Sequence, residues 1–467
     1  MPDLTPQVRV ADWPDSLTPR SKTHDTQQLT DLINAHADRL GTGRINPTDL
    51  HKSIFATGHQ PTFHHPGILA KDLMLREARA AGVTALHIVV DQDLHDIWSL
   101  DIPHTAGDRA TARQITASEP HRDLPTASRP PLPTSKLQQV AQDANIPALR
   151  NTLQHGLPGD TSAQQMTSFL AQTRWPNDPL PVLFVSDLTQ LPAYNTLLEK
   201  LIANAPTAIT AYNRACLRFP EAGISPLHTD NLLTELPLWA FAPKQSRQRV
   251  FADTADAKPI PVLSDGTPTR DTNLRLLPRA LLLTAFLRSA LVDLFIHGTG
   301  GHLYDRITEA WWQDWQQEPL APMTMVTADA YLNLNVPVAT PHDLHQAKHW
   351  LHHLHHNIAR HVEDADQKLA TEKHHLIEHM NDDRNQLRRQ QAFQRIHAIN
   401  DQLRSQHPQA IRNAETQLTT ARAGVANHTI ANRRDWFFGL YDQSVLDQIA
   451  DQLRPHAQRL LSIGSAP

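Results

Sequence analysis

Three short stretches of this chain place chemically capable residues beside glycines or at the ends of apolar runs. The first is Thr57-Gly58-His59-Gln60, with His64, His65, Pro66 and Gly67 just beyond. A glycine after an apolar run lets a ligand approach the backbone, and free N–H groups at the start of a following helix suit an anionic group. His59, His64 and His65 can donate to anionic oxygens or move protons near neutral pH. The second stretch is Asp91-Gln92-Asp93 with His95 and Asp96. Carboxylates at a strand end can hold a cationic amine, ribose hydroxyls or Mg²⁺, and they also serve simply to end strands and cap helices. The third runs from His297 through Gly298, Gly300 and Gly301 to Tyr304 and Asp305, a glycine-rich turn able to accommodate phosphate. His59, His64, His65 and Asp93 are the catalytic candidates. Thr57, Gly58, Gln60, Gly67, Asp91, His95, Asp96, His297, Gly298, Gly300, Tyr304 and Asp305 are the binding candidates, and no residue is assigned to a metal.

These loops need elements to hold them. Residues 26–40 have helical spacing, with Asp25 or Thr26 as N-cap and Gly41 and Gly43 as the stop. Ser53-Ile54-Phe55-Ala56-Thr57 reads as a strand, residues 68–81 as a helix closed by Gly82, and residues 85–90 as a second buried strand. Strand, loop, helix and strand in so short a span make a βαβ unit, which implies a parallel sheet. The sheet resumes at residues 182–185, before a helix over 193–203. Residues 274–292 read as a long apolar helix that delivers the chain to a strand at 294–296 and the glycine-rich loop.

Two interruptions read as insertions. The first, residues 104–180, is Pro-rich, with helices between Leu137 and Phe169; the second, residues 224–264, is β-rich, with a hairpin turn at Pro243-Lys244. The expected organisation is therefore an N-terminal arm and first half of the core (1–103), the first insertion, core (181–223), the second insertion, and core completion (265–340). Helices (341–430) and a C-terminal segment (431–467) follow. Leu351, Leu354, Ile358, Val362, Ala365, Leu369 and Leu376 step by three and four, predicting a long amphipathic helix with coiled-coil spacing and a stutter at 358–362. After a bend at Asn381-Asp382-Asp383, a seam of Leu387, Ile396, Ile399 and Leu403 continues to Pro408. Such a helical hairpin can pair two subunits into a homodimer.

Composition narrows the classes. Against 43 Lys and Arg stand 48 Asp and Glu, and the net charge of −5 argues against a broad nucleic-acid footprint. Cys216 is the single cysteine, which excludes an intrachain disulfide and a thiolate metal cluster. The first twenty residues carry Asp3, Asp12 and Asp15 and lack an apolar segment, and no run of 18 apolar residues occurs, so a cytoplasmic protein that does not enter membranes is expected. Eleven of the 29 histidines fall between His342 and His379, but their spacing suits no single closed metal site.

Taken together, these segments resemble the cysteine-adding enzyme family of bacillithiol biosynthesis (BshC). Thr57-Gly58-His59-Gln60 stands where that family has Thr-Gly-Gln-Gln, and His65-Pro66-Gly67 stands near its Gly-Gly-Pro. Asp91-Gln92-Asp93-Leu94-His95-Asp96 matches its acidic strand end. The stretch from His297 to Tyr304 matches its late glycine loop, keeping Gly298, Gly300 and Tyr304. The departures are chemical: His59 replaces Gln, His64-His65 replace Gly-Gly, and Gly301 replaces a Glu for which only Asp305 is near. The resemblance implies a Rossmann-like core with two connecting-peptide-like insertions, a dimerising coiled coil, and a site for ATP or ADP, with Mg²⁺ as a possible companion. The reaction it implies is ligase- or transferase-like, joining a cysteine-like amine or thiol to a sugar- or acid-type acceptor, here with an altered substrate. A fainter similarity, to class I nucleotidylyl transferases, rests on His64-His65-Pro66-Gly67, which has that group's residue types in another order. The alternative expectation is a non-catalytic nucleotide- or metabolite-binding scaffold assembled through its helices.

Overall fold

The computed structural model describes residues 4–12, 14, 17, 25–117, 121–230, 232–242, 244–255, 258–269, 274–382 and 384–464; Asp3, Asp15, Pro243 and Asp383, named above, lie outside them. In chain order the first elements are β1 (Gln7–Ala11), α1 (Thr26–Leu40), β2 (Ile54–His59), α2 (Pro66–Ala80) and β3 (Thr84–Val89). Asp25 caps α1 by accepting from the Gln28 amide at 2.9 Å, and Gly41 closes it in the left-handed region at φ 71°. A hairpin, β4 (Ser99–Ala106) and β5 (Arg109–Thr116), precedes α3 (Thr134–Ala144), α4 (Pro147–Leu153) and α5 (Ser162–Arg174). Next come β6 (Val182–Phe184), α6 (Pro192–Ala203) and α7 (Ala205–Arg218).

The β-rich segment forms β7 (Leu233–Phe241), β8 (Gln248–Asp253), β9 (Ile260–Leu263) and β10 (Arg275–Pro278), a four-stranded sheet in the order β10-β7-β8-β9. The long helix expected over 274–292 is thus divided. Its first residues join this sheet, and only α8 (Ala280–Phe286) is α-helical before a wider π turn at Leu287–Leu291. Apolar composition alone does not separate strand from helix, and Pro278 ends the strand where the helix begins. The remaining elements are β11 (Leu294–His297), α9 (Thr299–Gln316), β12 (Met323–Asp329), α10 (Pro341–Asn357), α11 (Gln367–Asp382), α12 (Gln386–Gln406), α13 (Pro408–Ala431) and α14 (Gln443–Gly464).

The chain divides into two compact units. The larger holds residues 5–102, 114–330 and 434–467 and contains a six-stranded sheet in the order β1-β12-β11-β2-β3-β6. β12, β11, β2, β3 and β6 run parallel, and β1 pairs antiparallel with β12 at the edge. Successive parallel strands move outward from β2, first to β3 and β6 and then, on its other side, to β11 and β12. The chain leaving β2 and that leaving β11 diverge, which opens a crevice between their carboxyl ends.

Strand alternation divides the apolar residues between two cores. Ile54, Ala56, Leu86, Ile88 and Phe295 join one cluster with Leu198, Leu201, Ala208 and Trp311 of α6, α7 and α9. Phe55, Ala85, Leu294 and Ile296 join the other with Leu69, Leu73 and Met74 of α2 and Ile449, Leu453 and Ala457 of α14. Both faces of the sheet are therefore buried under helices, as parallel sheets require.

The smaller unit contains residues 103–113 and 331–433. Leu354, Ile358, Leu369, Ile399, Leu403 and Ala414 form its core, so part of each seam read along the sequence is buried here, while Leu387 of the second is 64% exposed. The expected uninterrupted helix is broken, however. α10 ends at Asn357, a short 3₁₀ turn covers Ile358–Arg360, and α11 begins only at Gln367. The stutter at 358–362 becomes an interruption of the helix, where the three- and four-residue spacing loses its register. Asn381 and Asp382, expected in a bend, form the end of α11. Asn427 of α13, fully buried, donates to the carbonyls of Asp108 at 2.7 Å and Pro337 at 2.8 Å and accepts from the Ala110 amide at 2.8 Å. Among the described residues no helix is long and apolar enough to cross a membrane.

Candidate active site

At the carboxyl ends of β2 and β11 the larger unit has a cleft of about 690 Å³. Ten of the residues singled out above line it: Gly58, His59, Gln60, His65, Gly67, Asp93, His297, Gly298, Gly300 and Tyr304. Three loops far apart in sequence thus meet because β3, β2 and β11 are neighbours in the sheet.

His59 stands half-buried at the end of β2, and its Nδ1 lies 3.0 Å from the Gln60 carbonyl. A carbonyl only accepts, so Nδ1 carries the hydrogen and Nε2 keeps a lone pair. Burial, reinforced by the positive charge of Lys71, holds this imidazole well below the usual histidine range, so it is neutral at physiological pH. His65 is the N-cap of α2, its Nδ1 accepting from the Gly67 amide at 3.1 Å. Burial lowers its pKa to about 4. Gly67 is required for packing: a Cβ there would lie 2.9 Å from both the His65 ring and the Thr327 hydroxyl. The start of α2, expected to offer free amides to a ligand, is occupied by its own cap.

The third loop supplies the open helix end. Gly298 is the N-cap of α9 and provides no side chain to its first amides, and the space where a Cβ would stand on Gly298 or Gly300 is empty. Gly301 is different, because a Cβ there would collide with the His297 ring. His297 Nε2 bonds Asp305 at 2.8 Å, and Asp305 also accepts from Thr284 Oγ1 at 2.6 Å and Arg288 Nη1 at 2.6 Å. Burial works against the Asp305 carboxylate, but His297 and Arg288 hold it well below the usual range. Asp305, fully buried, positions His297 and does not face the cleft. Burial raises the Tyr304 hydroxyl pKa, so the phenol stays protonated.

Six of the expected residues lie outside the cleft lining. Thr57 is buried and clamps β2 to β11 by donating to the Ile296 carbonyl at 2.7 Å. Asp91 accepts from the Ser186 amide at 2.9 Å and hydroxyl at 2.6 Å, tying the ends of β3 and β6 together. Burial raises its pKa to about 7. His95 is exposed, and Asp96 pairs with Arg122 at 3.3 Å. Asp305 is accounted for above. His64, fully buried, donates from Nε2 to the Gln60 carbonyl at 3.3 Å, and its Nδ1 stands 3.9 Å from Asp72. Each loop thus divides its residues between the cleft and the core.

The structure also brings in residues that motif reading missed. Lys71, on the inward face of α2, is only 3% exposed yet lines the cleft, and its Nζ donates to the Gly58 carbonyl at 2.9 Å. Burial lowers its pKa to about 8. Asp72, behind it, accepts from His87 at 2.6 Å and is paired with Arg174. Despite burial, Arg174 and His87 bring its pKa down to about 2. A sequence signal existed: Lys71-Asp72 sits between Leu69-Ala70 and Leu73-Met74, a charged pair inside an apolar stripe.

Trp239 of β7 and Arg279, the N-cap of α8 just after β10, enter the lining. The guanidinium carbons of Arg247 and Arg279 lie 4.2 Å and 4.1 Å from the Trp239 ring centroid. Arg247 reaches Asp93 at 2.9 Å, and Gln60 reaches the other oxygen of Asp93 at 3.0 Å. Arg279 is fixed by Glu235 at 2.9 Å and the Leu238 carbonyl at 3.1 Å, leaving Nη2 buried without a partner. Nothing in the spacing of these residues links them to the other loops.

Among the described residues no group of three His, Cys, Asp or Glu side chains is placed to hold a metal ion. The cleft joins a neutral imidazole with a free lone pair to an open helix N-terminus and a buried ammonium, an arrangement suited to accepting a proton beside an anionic group. Comparison with protein-family models yields no match, and comparison with curated proteins yields none either, so the geometry stands as the description of this site.

Proposed function

We propose that the chain is a ligase- or transferase-like enzyme, similar in kind to the BshC family, that joins a small amine or thiol to an acid- or sugar-type acceptor in this cleft. The observation that carries the reading is His59: a neutral, half-buried imidazole whose Nε2 lone pair is left free on a cleft that also holds cationic and amide donors. His59 takes the proton from the attacking amine or thiol, and the Lys71 ammonium and the first amides of α9 stabilise the anionic partner. Gln60 and Arg247 hold Asp93 in place, where its carboxylate can orient a cationic amine.

The core is read as Rossmann-like, since the parallel strands follow a doubly wound order and the cleft lies at the reversal of that order. A nucleotide fits this reading through its phosphates, which the α9 amides and Lys71 would hold. ATP would supply a good leaving group when bound. Mg²⁺ finds less support, because among the described residues no three His, Cys, Asp or Glu side chains are grouped to hold a metal ion.

A homodimer through the helical unit is also proposed. Leu387 and Phe393 of α12 are 64% and 55% exposed, an apolar surface that a second copy would cover.

The test is consumption of ATP by the full chain on addition of cysteine and an amino-sugar malate acceptor, followed with product mass. Consumption that depends on both substrates supports the reading. Thermal stabilisation by ATP without consumption supports a nucleotide-binding scaffold in its place.

A further inference from the structure

The cleft carries more hydrogen-bond donors than the protein itself uses. Lys71 is a buried ammonium with three hydrogens, and its hydrogen bond is to the Gly58 carbonyl. Asp72 is next in sequence, but that carboxylate is engaged by His87 and Arg174. The histidines around Lys71 do not neutralise it: His59, His65 and His297 are all held below the usual range, with the Lys71 charge contributing to each shift. His297 immediately precedes Gly298, the N-cap of α9, so the ammonium and that helix end belong to one corner of the cleft. α9 spans 18 residues and its cap offers no side-chain acceptor. Arg279 lines the same cleft, and its Nη2 is buried with no partner.

An ammonium taken out of water with most of its donors unmatched is costly unless an anion completes it. The same holds, at smaller scale, for an unmatched guanidinium hydrogen. Helix amides add a further preference for negative charge. All three features belong to residues that line one cavity, and together they describe a ligand with several acceptor oxygens.

We infer that Lys71 and the first turn of α9 form a seat for an oxyanionic group, carboxylate or phosphate, of the small molecule bound here, and that Arg279 Nη2 takes a second acceptor of that ligand. This rests on the cleft being the functional site, but not on any particular reaction. The near-neutral pKa of Lys71, about 8, adds a signature: binding weakens as pH rises through that value.

The experiment is calorimetric titration of the full chain with inorganic phosphate and, separately, succinate at pH 7 and pH 9, on wild type, Lys71→Met and Arg279→Lys. Met keeps the length of the side chain without its charge, and Lys at 279 keeps a cation for Glu235 while removing the forked nitrogen. Wild type should bind at least one probe, with affinity falling several-fold at pH 9, and phosphate against succinate identifies which oxyanion is preferred. Lys71→Met should lose at least ten-fold in affinity while melting no lower than wild type without anion. Arg279→Lys should weaken the dicarboxylate more than phosphate. Equal affinity in wild type and Lys71→Met, or no binding of either probe by wild type at millimolar concentration, overturns the inference. Anion binding lost in Lys71→Met with no ATP consumption in wild type would sink the proposed reaction and leave the seat intact.

Discussion

His59 and His64 share one acceptor: His59 donates from Nδ1 and His64 from Nε2 to the Gln60 carbonyl, at 3.0 Å and 3.3 Å. Their rings meet edge to face with centroids 5.1 Å apart. Because the bonding nitrogens differ, the free nitrogens differ too. His59 keeps Nε2 on the cleft side of the loop, and His64 keeps Nδ1 toward buried Asp72. Two adjacent histidines of the same motif therefore have unlike roles.

This division is testable by substitution. His59→Ala should lower turnover on the order of 100-fold or more, the usual contribution of a positioned general base. His64→Ala should lower turnover only a few-fold and act on the fold, costing about 1–3 kcal/mol through the lost buried ring. Paired rate and urea-denaturation measurements separate the two. Equal rate losses in both variants would show that the histidines act as one unit.

Asp72 anchors the ion network behind the cleft. Asp72→Asn removes the charge that compensates Arg174 and leaves a buried guanidinium unpaired, so it should destabilise the protein by about 3–5 kcal/mol. A chemical-denaturation midpoint unchanged from wild type would contradict that role.

His65 gives the pH dependence a definite sign. Its folded pKa of about 4 lies below the unfolded value of about 6.5, so the folded state binds fewer protons between them. Stability is full above the unfolded value and falls as pH drops through that window, by about 3 kcal/mol for a shift of this size. His65→Asn retains an N-cap acceptor without the titration and should show a shallower loss of stability from pH 6.5 to 4. An identical slope in the variant would remove His65 from the acid response.

The dimer can be tested without dismantling the larger unit. Removing everything after Ala339 would also remove α14, whose Ile449, Leu453 and Ala457 lie in the core with α2. The full chain carrying Leu387→Glu and Phe393→Glu should instead run as a folded monomer in light scattering if α12 is the contact. A mass unchanged from a wild-type dimer would place the contact elsewhere.

Local patterning carried much of this protein on its own. The apolar run before Gly58, the helix beginning at Pro66 and the strand beginning at Thr84 were legible because each buries a face whose period is written in adjacent residues. The same was true of the Asp25 cap and the Gly41 stop. That the three loops meet at one cleft was legible because a parallel sheet puts its loops at one end. What adjacent residues do not encode is which side chain points where once strands are neighbours. Tertiary structure decided that His59 faces the cleft and His64 the core, that the open helix end belongs to α9, and that Asp305 holds His297 from behind. It alone brought in Trp239 from the β-rich sheet and Arg279 from the start of α8, and set Lys71 on the cleft wall. Those roles depend on which elements pack together, even where partners are as near in sequence as His297 and Asp305, and there only packing, burial and the pairing of charge select the arrangement.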